Sequence, residues 1–164
     1  MSEAFIALGS NIDDPLKQLA AAYQSFLQHP ALTPTGASSV YLSAPHGPQD
    51  QPDFCNAVVM VTTSLAPEAL LKTLLSTEGQ LGRQPSRHWG ERRIDLDLIF
   101  YDELDFTSAS LVLPHPRAHE RLFVLDPLIE LMGENYVFRG RGPLHKLRAQ
   151  CAEQTIRVLC EFPD

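Results

Sequence analysis

The chain has 164 residues, of which 44% are hydrophobic and 20% are charged, a composition typical of one folded domain with a buried core. Its formal charge of −7 at pH 7 argues against a nucleic acid or an anionic membrane as the partner, because both select a basic surface. The three cysteines form no CxxC pair, and no stretch approaches ~18 apolar residues. We therefore expect no disulfide framework, zinc site, signal peptide or membrane helix, and we predict one cytoplasmic domain over residues 1–164.

Strand and helix patterns alternate along the chain in the order strand, helix, strand, strand, helix, strand. This order predicts an α+β fold with a ferredoxin-like antiparallel sheet, helices packed on one face, and a C-terminal extension. The predicted strands are residues 4–8, 38–42, 54–63, 94–100 and 155–161, with short extended pieces at 104–106 and 111–113. The predicted helices are residues 13–29, 64–82, 117–132 and 144–150.

Three local features accompany these elements. A turn is expected at Gly9-Ser10-Asn11, and Asp13 or Asp14 is expected to cap the first helix ahead of Pro15. The proline at position 127 implies a break or a new start near Asp126. The proline-rich stretch 43–53 cannot form regular structure, and ordered loops of this length are often functional.

The strand at 94–100 carries the clearest chemical signal. Its alternation predicts one apolar face and places Asp95 and Asp97 on the opposite face, ~6–7 Å apart; the apolar face comprises Ile94, Leu96, Leu98 and Phe100. Two carboxylates this close repel each other unless they share a cation, and Mg²⁺ prefers one or two carboxylates together with substrate phosphates. Arg92 and Arg93 directly precede the pair, an arrangement suited to a polyphosphate. The alternative is an edge strand whose aspartates are solvated and paired with these arginines.

Other candidates are each compatible with an ordinary structural role. Asn56, at the start of a strand, could read the edge of a heterocycle or could close the preceding turn. The basic stretch 83–88 is either a lid over a charged ligand or a solvated loop. Phe54 and Phe123 could be core residues, Trp89 could pack the loop base, and His115 between two prolines could cap a turn.

Five blocks, in order along the chain, resemble the 6-hydroxymethyl-7,8-dihydropterin pyrophosphokinases of folate biosynthesis. The blocks are Ala7-Leu8-Gly9-Ser10-Asn11, residues 47–56, Leu81-Gly82-Arg83, residues 88–97 and residues 113–125. The resemblance implies transfer of diphosphate from MgATP to the hydroxymethyl oxygen of the pterin, with release of AMP. We also expect a monomer that acts on these small molecules, and the negative net charge argues against nucleic acid or membrane as partner.

The resemblance implies a role for each matching residue. Asp95 and Asp97 would bind two Mg²⁺ ions, and Arg83 and Arg92 would be catalytic arginines. The nucleotide would be bound by Glu78, Trp89, His115 and Arg121. The pterin would be bound by Ser43, Ala44, Pro45, His46, Phe54, Asn56 and Phe123.

The chain departs from the common family pattern at several positions. Ser43-Ala44-Pro45 stands where Thr-Pro-Pro is usual, and Phe54 replaces a tyrosine, which keeps a stacking face but loses a hydroxyl. Glu91 and Arg93 stand where proline and threonine are common.

Two other classes of protein remain open: a non-catalytic module that binds a nucleotide or pterin, and a metal-dependent nucleotide hydrolase.

Overall fold

The computed structural model describes residues 1–45, 47–82 and 93–163. The strands are β1 (Ser2–Ser10), β2 (Leu32–Ala37), β3 (Val40–Ser43), β4 (Phe54–Thr63), β5 (Asp95–Tyr101), β6 (Phe106–Thr107), β7 (Val112–Leu113), β8 (Val137–Phe138), β9 (Gly142–Pro143) and β10 (Ile156–Cys160). The helices are α1 (Pro15–Gln28), α2 (Pro67–Gln80), α3 (Leu122–Met132) and α4 (Leu144–Ala149), and a 3-10 turn spans Ala118–Glu120.

The main sheet has the order β10-β3-β4-β1-β5, and β2 pairs with the second half of β4. Every pairing in it is antiparallel, with β1 in the centre between β4 and β5. This is the order expected of a split β-α-β arrangement, so the predicted ferredoxin-like α+β fold is confirmed. Within the described residues, no helix is long and apolar enough to span a membrane.

Each face of the sheet packs against its own pair of helices. On one face, Leu19 and Phe26 of α1 and Leu70 of α2 join the core formed with Ile6 and other inward residues of the strands. The opposite face is covered by the C-terminal extension, whose buried residues join Phe5, Val58 and Ile99; they include Leu125, Leu128, Phe138, Leu144 and Leu147. Because both faces are buried, β1 is a continuous apolar run rather than an alternating one.

Two strands differ from their predicted form. β1 continues through Gly9 and Ser10, which were expected to form a turn. In β5, Leu98 pairs with Ile6 but Phe100 pairs with Phe5, so Ile99 is an additional residue in a β-bulge. The bulge moves Phe100 to the face opposite Leu98, where its ring lies 5.5 Å from that of Phe5. The prediction that Phe100 shares a face with Leu98 is therefore wrong.

Strand β2 was not predicted, because Pro34 and Gly36 disfavour a strand. The register of β2 against β4 shifts between these two residues, so the proline is accommodated at an irregular point of an edge strand. Ser38 then bridges β2 and β3: its backbone N–H donates to the Val58 carbonyl, and its Oγ accepts from the Val58 N–H.

The predicted break near Asp126 is also wrong. Pro127 lies inside a continuous α3, where it is buried between Leu125 and Leu128, and the burial offsets the hydrogen bond that a proline cannot donate. The interruption falls earlier, at Arg121, whose extended backbone separates the 3-10 turn from α3.

The first helix begins without the predicted side-chain cap. Asp14 occupies the cap position in a left-handed conformation, with φ of 62°, and neither it nor Asp13 forms a capping side-chain hydrogen bond. The Asp14 carbonyl accepts from the Gln18 N–H, while the Asp13 carboxylate accepts from the side chain of Arg93. Asp13 therefore takes part in a tertiary contact, whereas Asp14 contributes to the helix through its backbone carbonyl alone.

Adjacent leucines on α2 provide a test of the two-layer core. Leu74 is fully buried against the sheet, whereas Leu75 is 55% exposed. We expect Leu74→Ala to lower the free energy of unfolding by about 2–5 kcal/mol through lost burial and a residual cavity. Leu75→Ala should change it by less than about 0.5 kcal/mol. Urea denaturation measures both, and equal effects would contradict this packing.

Candidate active site

The site is organised around Gly9, in the central strand. Gly9 is the register partner of Asn56 on β4 and of Asp95 on β5. Directly opposed residues of neighbouring strands point to the same face, so these three residues lie side by side, over a distance of about 10 Å for two strand spacings. The next row pairs Val58, Ala7 and Asp97. Val58 and Ala7 belong to the core beneath α3, which identifies the face that carries the site.

Asp95 and Asp97 are half-buried on that face, as the alternating pattern predicted. Leu96, between them, points into the opposite core, and its backbone N–H donates to Glu78 Oε2 at 2.7 Å. Glu78 is only 4% exposed. The structure thus places Glu78 inside the protein, where it joins α2 to the outer edge of the strand that carries both aspartates.

Asn56 is buried, and both hydrogens of its amide are donated within the protein. Nδ2 donates to Ser43 Oγ at 2.7 Å and to the Phe54 carbonyl at 3.3 Å. These bonds leave Oδ1 as the atom through which Asn56 can accept from a ligand. A Cβ at Gly9 would lie 3.1 Å from this oxygen and 3.9 Å from Phe54 Cδ1. Glycine at position 9 therefore leaves room for the side chains of Asn56 and Phe54 on β4.

The loop over residues 43–53 is tied to the end of β1 by two buried amides. Asn11 Nδ2 donates to Gln51 Oε1 at 2.9 Å and to the Pro52 carbonyl at 3.0 Å, and Asn11 is only 2% exposed. Gln49 Nε2 donates to the Pro45 carbonyl at 2.8 Å. The sequence predicts only a turn at Asn11 and no role for Gln51, although both residues lie in the blocks that carry the family resemblance.

Helix α3 is held against β3 by a polar cluster. Tyr41, the register partner of Asn56, donates from its hydroxyl to Glu130 Oε1 at 2.7 Å. The same carboxylate accepts from the Ser39 N–H and hydroxyl. Burial and the neighbouring Glu130 carboxylate raise the pKa of Tyr41, so the hydroxyl stays protonated as a donor. These bonds anchor α3, whose first turn carries Phe123.

His115 is tethered to β5, because its backbone N–H donates to the Ile99 carbonyl at 3.0 Å. Its Nδ1 accepts from the Arg117 backbone N–H at 3.1 Å, which places the ring proton on Nε2. Burial and then the nearby charges of Arg121 and Arg117 lower the pKa of His115 to about 4. At neutral pH the ring is therefore an uncharged hydrogen-bond donor beside a guanidinium.

Of the predicted residues, Asn56, Asp95 and Asp97 lie on the face of the sheet that packs against α3, whereas Glu78 comes from α2 on the opposite face. Phe123 packs against the core cluster that contains Ala7 and Val58, and the Arg121 guanidinium carbon lies 5.6 Å from the centroid of its ring. Four other predicted site residues lie outside the described residues: His46, Arg83, Trp89 and Arg92.

The arrangement separates two kinds of chemistry. Asp95 and Asp97 supply hard oxygen donors that fit Mg²⁺, and His115 and Arg121 supply hydrogen-bond donors suited to phosphate oxygens. In the part of the chain that the structure describes, no group of three or more His, Cys, Asp or Glu side chains is gathered as a metal site. Two carboxylates alone suit a metal that retains water and phosphate ligands.

Comparison with known proteins agrees with this geometry. The family model described as 7,8-dihydro-6-hydroxymethylpterin-pyrophosphokinase (HPPK) matches residues 5–133. The chain is 42% identical over 134 residues to the 2-amino-4-hydroxy-6-hydroxymethyldihydropteridine pyrophosphokinase of Haemophilus influenzae, covering 82% of this chain and 84% of that protein. It is 36% identical over 159 residues to the protein of the same name from Pseudomonas aeruginosa, covering 97% and 98% of the two chains.

A fold comparison finds the HPPK-DHPS protein of Plasmodium falciparum, with a TM-score of 0.71 at 12% identity. That match covers 91% of this chain but only 45% of the longer one, so it concerns the fold alone. The described sheet and the sequence matches together define a pterin pyrophosphokinase fold. The chain belongs to the HPPK family.

The depressed pKa of His115 predicts a pH dependence of stability. Between about 6.5, its ordinary value, and about 4, the unfolded chain binds more protons at this ring than the folded chain does. The stability of the folded protein should therefore fall as the pH is lowered through this window. His115→Gln should flatten that part of a plot of Tm against pH. An unchanged slope in the variant would contradict the burial of a neutral imidazole.

Proposed function

We propose that this chain transfers diphosphate from MgATP to the hydroxymethyl oxygen of 6-hydroxymethyl-7,8-dihydropterin, giving AMP and the pterin diphosphate. Family membership supports the reaction class. The observation that carries the proposal is the row formed by Asn56, Gly9 and Asp95, in which an amide and a carboxylate flank a residue without a side chain. Such a row can hold a heterocycle beside a metal-bound polyphosphate.

Asp95 and Asp97 would hold two Mg²⁺ ions that arrive with the nucleotide. When bound, these ions neutralise phosphate charge and orient the phosphate oxygens toward in-line transfer. The chain's own contribution is geometric: strand alternation points both carboxylates to the same face, and the bond from Leu96 to Glu78 ties that strand to α2. In this proposal Glu78 supports the nucleotide site through the strand.

His115 and Arg121 would bind the triphosphate. The Nε2–H of His115 can donate to a phosphate oxygen, because Nδ1 already accepts from the backbone of Arg117. Arg121 adds fixed positive charge, which a chain of net charge −7 must supply locally to attract a nucleotide. Arg83 and Arg92, catalytic by the resemblance, would stabilise charge that develops on the transferred group, and Trp89 would contact the nucleotide.

The pterin would lie between the rings of Phe54 and Phe123, with its polar edge toward Asn56. Each stacked pair contributes about 0.5–1.5 kcal/mol beyond area burial. Asn56 Oδ1 would accept from pterin N–H groups, and backbone groups of Ser43, Ala44, Pro45 and His46 would complete the recognition. We further propose a cytoplasmic monomer that acts on small molecules and binds neither nucleic acid nor membrane.

The metal role is tested with Asp97→Ala. Loss of one carboxylate should lower turnover by at least about 100-fold, since metal-assisted neutralisation of the phosphates contributes several kcal/mol. AMP and pterin diphosphate, formed one for one, are measured by chromatography. The control is Asp105→Ala, which removes an exposed pair with Arg139 and should leave turnover unchanged. ADP as the product, or free diphosphate, would instead indicate a kinase or a hydrolase.

The close approach at Gly9 gives a separate test of pterin recognition. Gly9→Ala places a methyl group 3.1 Å from Asn56 Oδ1, so the amide must shift. We expect the KM for the pterin to rise about tenfold through this overpacking, with a smaller change for ATP. Gly79→Ala is the matched control, because a Cβ there meets nothing within 4 Å. Equal kinetics for the two variants would argue against an amide-edge pterin site.

A further inference from the structure

Arg93, at the entrance to β5, forms an ion pair that the proposed reaction does not use directly. Its Nε donates to Asp13 Oδ2 at 2.7 Å, and the two side chains are 37% and 51% exposed. Its backbone carbonyl accepts from the hydroxyl of Ser10, which is fully buried at the end of β1. Arg93 is therefore bonded through both its side chain and its backbone to the segment that follows the central strand.

The guanidinium of Arg93 also lies over Gly82, just beyond the end of α2. Gly82 has φ of +88°, and a Cβ there would clash with Arg93 Nη1. Three segments thus meet at the Arg93 side chain: the turn between β1 and α1, the second residue after α2, and the residues that precede β5. Asp13 itself adopts φ of 56°, a left-handed conformation that aspartate tolerates better than most residues.

A contribution to the overall stability of the protein is not enough to explain the ion pair between Arg93 and Asp13. Exposed ion pairs add little to stability, and salt screens them further. The position is more informative: Arg93 precedes the metal-binding carboxylate of the proposed function by two residues, and Asp95 in turn pairs with Gly9. Fixing Arg93 to Ser10 and Asp13 aligns the start of β5 with the end of β1, where the row of site residues lies.

We propose that Arg93 is a positioning residue for this reaction, paired with Asp13. It acts through Asp95 by holding the first residues of β5 in register with the end of β1. This proposal rests on the proposed function. Because geometric displacements of ~1 Å at a reacting centre can lower rates up to about 100-fold, a contact that adds little stability can still affect turnover.

The test is a double-mutant cycle with Arg93→Gln, Asp13→Asn and the two together. Each single variant should lower kcat about tenfold while the KM for the pterin stays within about twofold, and the double variant should be no slower than the slower single one. Arg139→Gln is the matched control, since it removes another exposed pair, with Asp105. An Arg93→Gln kcat equal to that of Arg139→Gln would overturn the proposal, as would multiplicative effects in the double variant.

A second measurement separates this proposal from the reaction itself. Amide hydrogen exchange of β5 should be faster in Arg93→Gln than in the parent protein or in Arg139→Gln, with the increase confined to the residues around Asp95. Absence of AMP formation by the parent protein would refute the proposed function. The exchange comparison would still decide the positioning role, and unchanged exchange in Arg93→Gln would refute it.

Discussion

The absence of a side chain at Gly9 is the constraint on which the site depends. The central strand of the sheet has neighbours on both sides, and at this row one neighbour presents an amide while the other presents a carboxylate. A methyl group at the centre would press on Asn56 Oδ1 and approach the ring of Phe54. At the middle of this row the surface is therefore backbone, flanked by the side chains of Asn56 and Asp95.

Hydrogen bonds to neighbouring residues hold the site residues on both sides of Gly9 in place. Asn56 is oriented by Ser43, and the strand that carries Asp95 and Asp97 is joined to α2 by the buried carboxylate of Glu78. These supports use strong or buried hydrogen bonds, which limit the movement of the groups that would meet the ligands. At the beginning of β5, the exposed ion pair between Arg93 and Asp13 adds a further support.

Much of the fold could be predicted because it depends on local patterns. The order of the main elements, the spacing of Asp95 and Asp97, and the end of the second helix near Gly82 all follow from short-range rules. The errors arise where pairing between strands that are distant in the sequence determines the local structure. The bulge at Ile99, which reverses the side of Phe100, exists only because β5 meets β1, and no residue in β5 signals it.

The same limitation applies to the site. Asn56 and His115 could be predicted as candidates from the sequence. The hydrogen-bond partners that decide which atom of each side chain stays available to a ligand could not. The Nδ1 of His115 is occupied by the backbone of a residue two positions later, a bond that requires the particular turn at this point. Glu78 was assigned to the nucleotide site through the family resemblance, whereas in the structure it accepts a hydrogen bond from the backbone N–H of Leu96, 18 residues away. Hydrogen bonds of this kind produce no periodic pattern in the sequence.

The two-sided covering of the sheet has a consequence for synthesis of the protein. All five strands β1–β5 and the helices α1 and α2 are complete by Tyr101, but the second layer comes from α3 and α4. A nascent chain that has emerged from the ribosome only to that point would present Phe5, Val58 and Phe100 to water on an uncovered surface. This surface, which includes the row of Asn56, Gly9 and Asp95, is vulnerable to aggregation until α3 and α4 have emerged.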